Sequence, residues 1–336
     1  MVGESLPGTA GTEPETKVGT MYGYGEIKLF AGSASNDLAG EIAEYLSLPL
    51  IDYDLIEFAN ENLLPRLHGS VRGQDVYLVQ SLNAPVHRNI MELLLMIDTL
   101  KRDSAGRITA VIPYMAYARS DKKDQPRVPI GARLLADMIE VAGADRYITI
   151  DLHAGQIQGF FSIPGDVITA FHILSDYFVG KDLENAVVAT VDLGFAKKGR
   201  NFAAKLGTPL AFVEKRRGQD DPRAKAISVI GDVEGCNVIL VDDEVLTGES
   251  VVEAVQILKE RGALEIYLSF AHPLLVPLAV DSFKKLPLKE IVMTNTVDIP
   301  AEKRLDNMTI LSVAPLLGEV IRRAHEGRSV GELFNE

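Results

Sequence analysis

With 47 acidic against 34 basic side chains in 336 residues, a net charge of −13, the chain offers no general surface to nucleic acid or anionic membrane, so any basic site is a local cluster. The length and a hydrophobic content of 47% allow about two domains, on the order of 150 residues each. One cysteine, Cys236, excludes an intramolecular disulfide and a multi-cysteine zinc site and suits a reducing compartment; with no apolar run near the roughly 20 residues that span a bilayer, a cytoplasmic protein is expected. Residues 1–25, rich in Gly, Thr, Glu and Pro and lacking signal or transit features, are expected as a flexible tail. From Glu26, β-rich runs alternate with helical patterns. Ile27–Gly32 reads as a strand and Ser35–Leu46 as a helix, with Ser35 or Asn36 as N-cap and Leu38, Ile42 and Leu46 on one face. Strand Asp75–Ser81, a long helix around Asn89–Arg102, strand Arg107–Tyr114 and a helix from Val128 closed by Gly143 follow. RYITIDLH, AVVATVD, LAFVEK, NVILVDD, EIYLSFAH and EIVMTN read as further strands, and ESVVEAVQILKERGA as a helix. Strands apolar at nearly every position and joined by helices predict an α/β protein of two similar domains, each a mostly parallel sheet flanked by helices. The division is expected just past Gly159–Pro164, giving 26–168 and 169–317, with 318–336 returning to the first domain.

Ligands of open parallel sheets bind where strands end at their carboxyl edge, and four segments occupy such positions. VILVDDEVLTGES, Val238–Ser250, ends an apolar strand in Asp242 and Asp243, then turns through Thr247, Gly248, Glu249 and Ser250 into a helix. Backbone N–H groups and hydroxyls at a helix N-terminus form a phosphate site, and adjacent carboxylates suit sugar hydroxyls or water on magnesium. The plainer alternative is a strand–loop–helix corner with solvated aspartates and a Ser cap; without GxxxxGK[ST] it is not a Walker loop. DLHAGQIQGFFSIP, Asp151–Pro164, carries His153 off a strand as ligand, base or structural residue. YARSDKKDQPRVP, Tyr117–Pro129, holds Arg119, Lys122, Lys123 and Arg127, either a solvated loop or partners for phosphate oxygens. FVEKRRGQDDPRAK, Phe212–Lys225, is a basic turn or a mobile loop whose cations close over reacting phosphates.

Together these segments resemble the ribose-phosphate diphosphokinase family, also called phosphoribosyl diphosphate synthetases, of type I phosphoribosyltransferase fold, from about Lys28 to Phe334. The resemblance implies transfer of the β,γ-diphosphoryl group of ATP to the anomeric hydroxyl of ribose 5-phosphate, with AMP as second product. It implies Lys215 and Arg217 as the catalytic pair. His153, with Asp192 in TVDLGFAKKGR, is expected at magnesium, the implied cofactor. Asp242, Asp243, Leu246, Thr247, Gly248, Glu249 and Ser250 are expected at ribose 5-phosphate. Phe58, Asn60, Glu61 and Asn62 of the FANEN hairpin, with Arg119, Ser120 and Asp121, are expected at ATP. The hairpin resembles one that reaches into a neighbouring subunit, which implies a homodimer or hexamer, or a hetero-oligomer with a related subunit; no nucleic-acid or membrane partner is implied.

The chain departs from the family pattern in several places: Asn62 replaces a Glu, Ser120 a Gln, Phe195 a Gly, and DDEVLTGES stands where many relatives read DDxxDTGGT. Leu246 removes a carboxylate beside the sugar, a loss on the order of 1 to 3 kcal/mol if a polar partner is left unpaired. Glu249 puts a negative charge near phosphate, roughly 4 kcal/mol of repulsion at about 4 Å and an effective dielectric of about 20, so its carboxylate must point away. An active diphosphokinase with an altered site is the main expectation. A diverged regulatory or associated subunit is the alternative, and a phosphoribosyltransferase is disfavoured by the DLH and KRR motifs and the additional N-terminal βα series.

Overall fold

The computed structural model describes residues 23–191, 193–217 and 225–333; residues 1–22 of the expected tail lie outside the described residues. In chain order the first half comprises β1 (Ile27–Ala31), α1 (Asn36–Leu46), β2 (Tyr53–Glu57), β3 (Leu63–Leu67), β4 (Asp75–Val79), α2 (Val86–Arg102), β5 (Arg107–Ile112), α3 (Gly131–Ala142), β6 (Arg146–Ile150) and β7 (Gly165–Ile168). The second half comprises α4 (Phe171–Lys181), β8 (Ala186–Thr190), α5 (Ala196–Leu206), β9 (Leu210–Arg217), β10 (Lys225–Ile230), β11 (Asn237–Val245), α6 (Glu249–Glu260), β12 (Ile266–Pro273), α7 (Pro277–Phe283), β13 (Leu288–Thr294), β14 (Met308–Leu311) and α8 (Ala314–Glu326).

Two sheets result, as the alternation of runs predicts. The first has the order β1-β4-β5-β6-β7 and is parallel throughout. The second has the order β10-β9-β8-β11-β12-β13-β14, parallel except for the antiparallel β9–β10 edge. All five residues of β4 and all eight of β12 are buried, which is why these strands are mostly apolar without strict alternation. The first sheet's last strand ends at Ile168. One apolar cluster joins the two halves, running from Leu38 and Ile42 of α1 through Ile148 and Phe178 to Val188, Ile239 and Val292.

The chain's end returns to the first sheet. Leu317, Val320 and Ile321 of α8 lie in the same cluster as α1. Beneath α8 the buried Asp75 accepts two hydrogen bonds from Arg107, Nε at 2.8 Å and Nη2 at 2.6 Å, and meets His325 Nδ1 at 2.7 Å. Arg107 Nη2 also donates to the Ala324 carbonyl at 3.2 Å, so one guanidinium ties β4 to α8. Tyr24 and Gly25, expected in the tail, belong to this fold: the Gly25 N–H donates to the Gly73 carbonyl at 2.9 Å, and the Arg107 guanidinium sits 4.7 Å from the Tyr24 ring centre.

Local signals decided ends less well than interiors. Ser35 is the N-cap of α1, yet its hydroxyl makes no cap bond; it accepts instead from Ser81 N–H at 2.8 Å, linking the loop after β1 to the end of β4. The strand expected to run to His153 stops at Ile150, because Asp151 takes a positive φ of 43° and leaves the sheet. β11 does the opposite, continuing past Asp243 to Val245 because β12 pairs with it to that point.

Candidate active site

The carboxyl ends of the two sheets face one another, and two polar pairs cross between them. His153, beyond β6 of the first sheet, meets Asp243 of β11 through Nδ1 and Oδ2 at 2.7 Å. Arg119, in the loop after β5, pairs through Nε with a Glu244 carboxylate oxygen. Nearby, His272 at the end of β12 is buried and ties the same edges together, Nε2 lying 3.1 Å from the Ile150 carbonyl and Nδ1 3.0 Å from Thr296 Oγ1. The Tyr114 ring stands edge-on to His272 at 5.3 Å.

Burial disfavours the charge on Asp243, but the His153 hydrogen bond and charge, the Lys198 ammonium and a bond from Asp242 hold its carboxyl low, at about 2. The same hydrogen bond pushes the His153 imidazole up, against its partial burial. Burial pushes the Glu244 carboxyl up as well; Arg119 opposes this and the neighbouring Asp243 charge adds to it. Both Asp243 oxygens are occupied inside the protein, since Oδ1 accepts the Glu244 N–H at 2.9 Å. Asp243, expected at ribose hydroxyls, is therefore turned toward His153, whereas Asp242 is only half-buried.

The turn after β11 has the shape its sequence suggested. Gly248 is left-handed at φ 76°, a conformation glycine adopts without steric cost, and an added Cβ there would lie 3.0 Å from the Phe283 ring. Glu249 begins α6 and has no positive φ, so a non-glycine residue is accommodated; its exposed carboxylate stands at the favourable N-terminal end of the helix dipole. Leu246 is 40% exposed on the same turn, with Thr247 half-buried and Ser250 exposed.

Other candidates divide. Arg119 is 54% exposed and lines a concavity of about 380 Å³ with Tyr117, Lys122 and Asp124. Ser120 and Asp121, expected beside it at ATP, each have a partner within the protein. The Ser120 hydroxyl accepts the Gly131 N–H at 3.0 Å at the start of α3, and the buried Asp121 carboxylate accepts from the Gln156 amide. Phe58 is half exposed at the tip of the β2–β3 hairpin, where Asn60 Oδ1 accepts the Asn62 N–H at 3.3 Å and Glu61 has φ 65°. Glu61 and Asn62 line a concavity with His87, Arg88 and Met91, whose lining does not include His153. Lys215 and Arg217 lie on β9, paired through the backbone with Ile227 and Lys225, and their side chains are outside what is described. Asp192 lies outside the described residues.

Sequence reasoning missed Glu244 and Lys198. Glu244 directly follows the two aspartates but reads as strand. Lys198 lies in the quoted TVDLGFAKKGR and approaches Asp151 at 3.5 Å. Asp151 itself accepts from the Thr169 hydroxyl and the Ala170 N–H, both at 2.8 Å, ahead of α4.

Comparison with known proteins supplies the context. The N-terminal domain of ribose phosphate pyrophosphokinase matches residues 27–143, and the phosphoribosyl synthetase-associated domain matches residues 218–335. A ribose-phosphate pyrophosphokinase of Caldanaerobacter subterraneus is 46% identical over 92% of this chain and 98% of its own length. That of Wolinella succinogenes is 45% identical over 94% and 100%. A crystal structure of phosphoribosylpyrophosphate synthetase from Mycobacterium smegmatis superposes with a TM-score of 0.86 at 40% identity, covering 90% of this chain and all of the other.

Proposed function

We propose that this chain, which belongs to the ribose-phosphate pyrophosphokinase family, transfers the β,γ-diphosphoryl group of ATP to the anomeric hydroxyl of ribose 5-phosphate. A bond forms between the sugar oxygen and the β-phosphorus as the bond from that phosphorus to the α-phosphate oxygen breaks; AMP leaves and the hydroxyl proton passes to solvent. Such transfers ask the protein mainly for positioning and charge stabilisation. The observation that carries the reading is the convergence of His153–Asp243 and Arg119–Glu244 across two facing sheet edges, beside a glycine turn that opens a helix.

In this reading the turn Thr247–Ser250 binds the 5-phosphate through backbone N–H groups at the start of α6. Asp242 receives ribose hydroxyls. Asp243 serves one step back, holding the His153 ring. A carboxylate on one imidazole nitrogen is the usual partner of a metal-ligating histidine, leaving Nε2 for an ion. Among the described residues no three His, Cys, Asp or Glu side chains form a cage. Magnesium does not require one, since it keeps several waters and takes one or two protein groups with substrate phosphates. His153 and Asp192 would hold it, and when bound it would neutralise charge on the phosphate oxygens. Lys215 and Arg217 supply cations to the transferring group, and Arg119 binds the triphosphate. The Phe58 hairpin, exposed at its tip, stacks on the adenine of a neighbouring subunit. At least a dimer follows from that, with itself or a related subunit, and an active monomer would refute the shared site.

The test is AMP release from ATP and ribose 5-phosphate with magnesium. AMP in equal amount to phosphoribosyl diphosphate is expected; no AMP at high enzyme concentration would sink the proposal. The exposed Leu246 and the acidic Glu249 favour a second reading, a subunit that binds sugar phosphate and tunes a related chain. Ribose 5-phosphate binding without turnover, together with altered kinetics of a co-purifying relative, would select it.

A further inference from the structure

We infer that Glu244 is a positioning residue for Arg119, gripping the guanidinium by its Nε edge so that the terminal amino groups face the cleft. The inference rests on the reading of Arg119 as an ATP contact. Glu244 is 5% exposed on a central strand, opposite His272 in the β11–β12 register, and has little freedom to move. Arg119 is a long side chain on a loop, 54% exposed, and among the described residues its guanidinium has no other carboxylate partner. A guanidinium has five donors in a fixed fork. Using Nε on one carboxylate leaves both Nη groups to meet two oxygens of a phosphate.

The pair also spans the domains, Arg119 following the first sheet and Glu244 belonging to the second. A buried carboxylate left without its cation is costly, so the contact persists in the resting protein and preorganises the arginine before ATP arrives. The charge of the pair is nearly neutral. Its service to ATP is therefore geometric, and a neutral acceptor at position 244 should preserve it.

The experiment compares E244A, E244Q, R119A and the double variant R119A/E244A in ATP binding by calorimetry and in steady-state kinetics. E244A should weaken ATP, in Kd and KM, by about tenfold, the scale of losing one ion-paired contact that holds the guanidinium, with KM for ribose 5-phosphate within about twofold. E244Q should restore most of the loss. In the R119A background E244A should have no further effect. Should E244A fail to fold, R119K replaces it, since one ammonium cannot serve Glu244 and phosphate together; it should weaken ATP similarly.

Unchanged ATP affinity in E244A while R119A is weakened would overturn this inference alone. A loss in E244A that persists without Arg119, or that E244Q does not rescue, would do the same. Unchanged ATP affinity in R119A would overturn the reading of Arg119 itself, and the inference with it.

Discussion

Replacing Gly248 by alanine separates the turn's two demands on that residue. The first is conformational: at φ 76° an L-residue is disfavoured by about 1–2 kcal/mol. The second is space. The new Cβ would lie 3.0 Å from Phe283 Cε1, 3.4 Å from Cζ and 3.5 Å from Ala279 Cβ, and the Phe283 ring, 2% exposed, has nowhere to swing. That crowding adds about 1 kcal/mol. Gly207 is the control, with φ 67° and nothing within 4 Å of its added Cβ, so Gly207→Ala carries the conformational cost alone. Thermal unfolding should show Gly248→Ala below Gly207→Ala by about 1–2 °C, the equivalent of about 1 kcal/mol at about 2.1 cal/mol/K of unfolding entropy per residue in a chain of this size. Relief of the clash shifts the N–H groups of Glu249 and Ser250, so KM for ribose 5-phosphate should rise about tenfold in Gly248→Ala and stay unchanged in Gly207→Ala. Equal losses of Tm with equal KM values would refute both the packing argument and the phosphate-turn assignment.

Leu246→Asp, which returns a carboxylate to the edge of the turn, should raise kcat/KM for ribose 5-phosphate about fivefold or more; a drop would place the sugar elsewhere. Glu249→Gly should lower the KM for ribose 5-phosphate about fivefold at low salt and less at high salt, and a salt-independent change would argue against charge repulsion as the cause. Asp75→Asn leaves the Arg107 guanidinium buried without its counter-charge and should cost about 3–5 kcal/mol in chemical denaturation. Burial opposes the Asp75 charge, but His325 and Arg107 hydrogen bonds hold its carboxyl below the ordinary range. Its stabilising contribution is therefore complete above the unfolded value of about 3.9 and drains as pH falls through the folded value. The Tm gap between wild type and Asp75→Asn should narrow from about pH 7 to about pH 3; a constant gap would show that Asp75 does not act through its charge.

Much of the scaffold was legible because central strands and amphipathic helices carry their signal locally. Strands β4, β5 and β12 are buried along their whole length and read as mostly apolar runs without strict alternation. The edges were harder. β10 owes its conformation to antiparallel pairing with β9, and β14 is four half-buried residues held by β13. The site followed the same division. His153, Arg119 and the Asp242–Ser250 turn stood out by position after strands, and the glycine turn formed as its composition suggested. The internal partners of Ser120 and Asp121 were not legible, because a hydroxyl meets a helix start and a carboxylate meets an amide only once the fold has brought them together.

The sequence by itself determined the alternation of strands and helices, the family, and which strand ends carry polar and basic groups, since each is written in neighbouring residues. Only the tertiary structure decided which of those groups hold one another. Asp243 turns to His153, Glu244 grips Arg119, and Asp75 joins Arg107 to His325 and, through that guanidinium, to the Ala324 carbonyl of α8. Each is a short-range polar contact between segments far apart in the chain. Its geometry exists only once apolar packing has brought two sheet edges, or a returning helix, to within a hydrogen bond of each other.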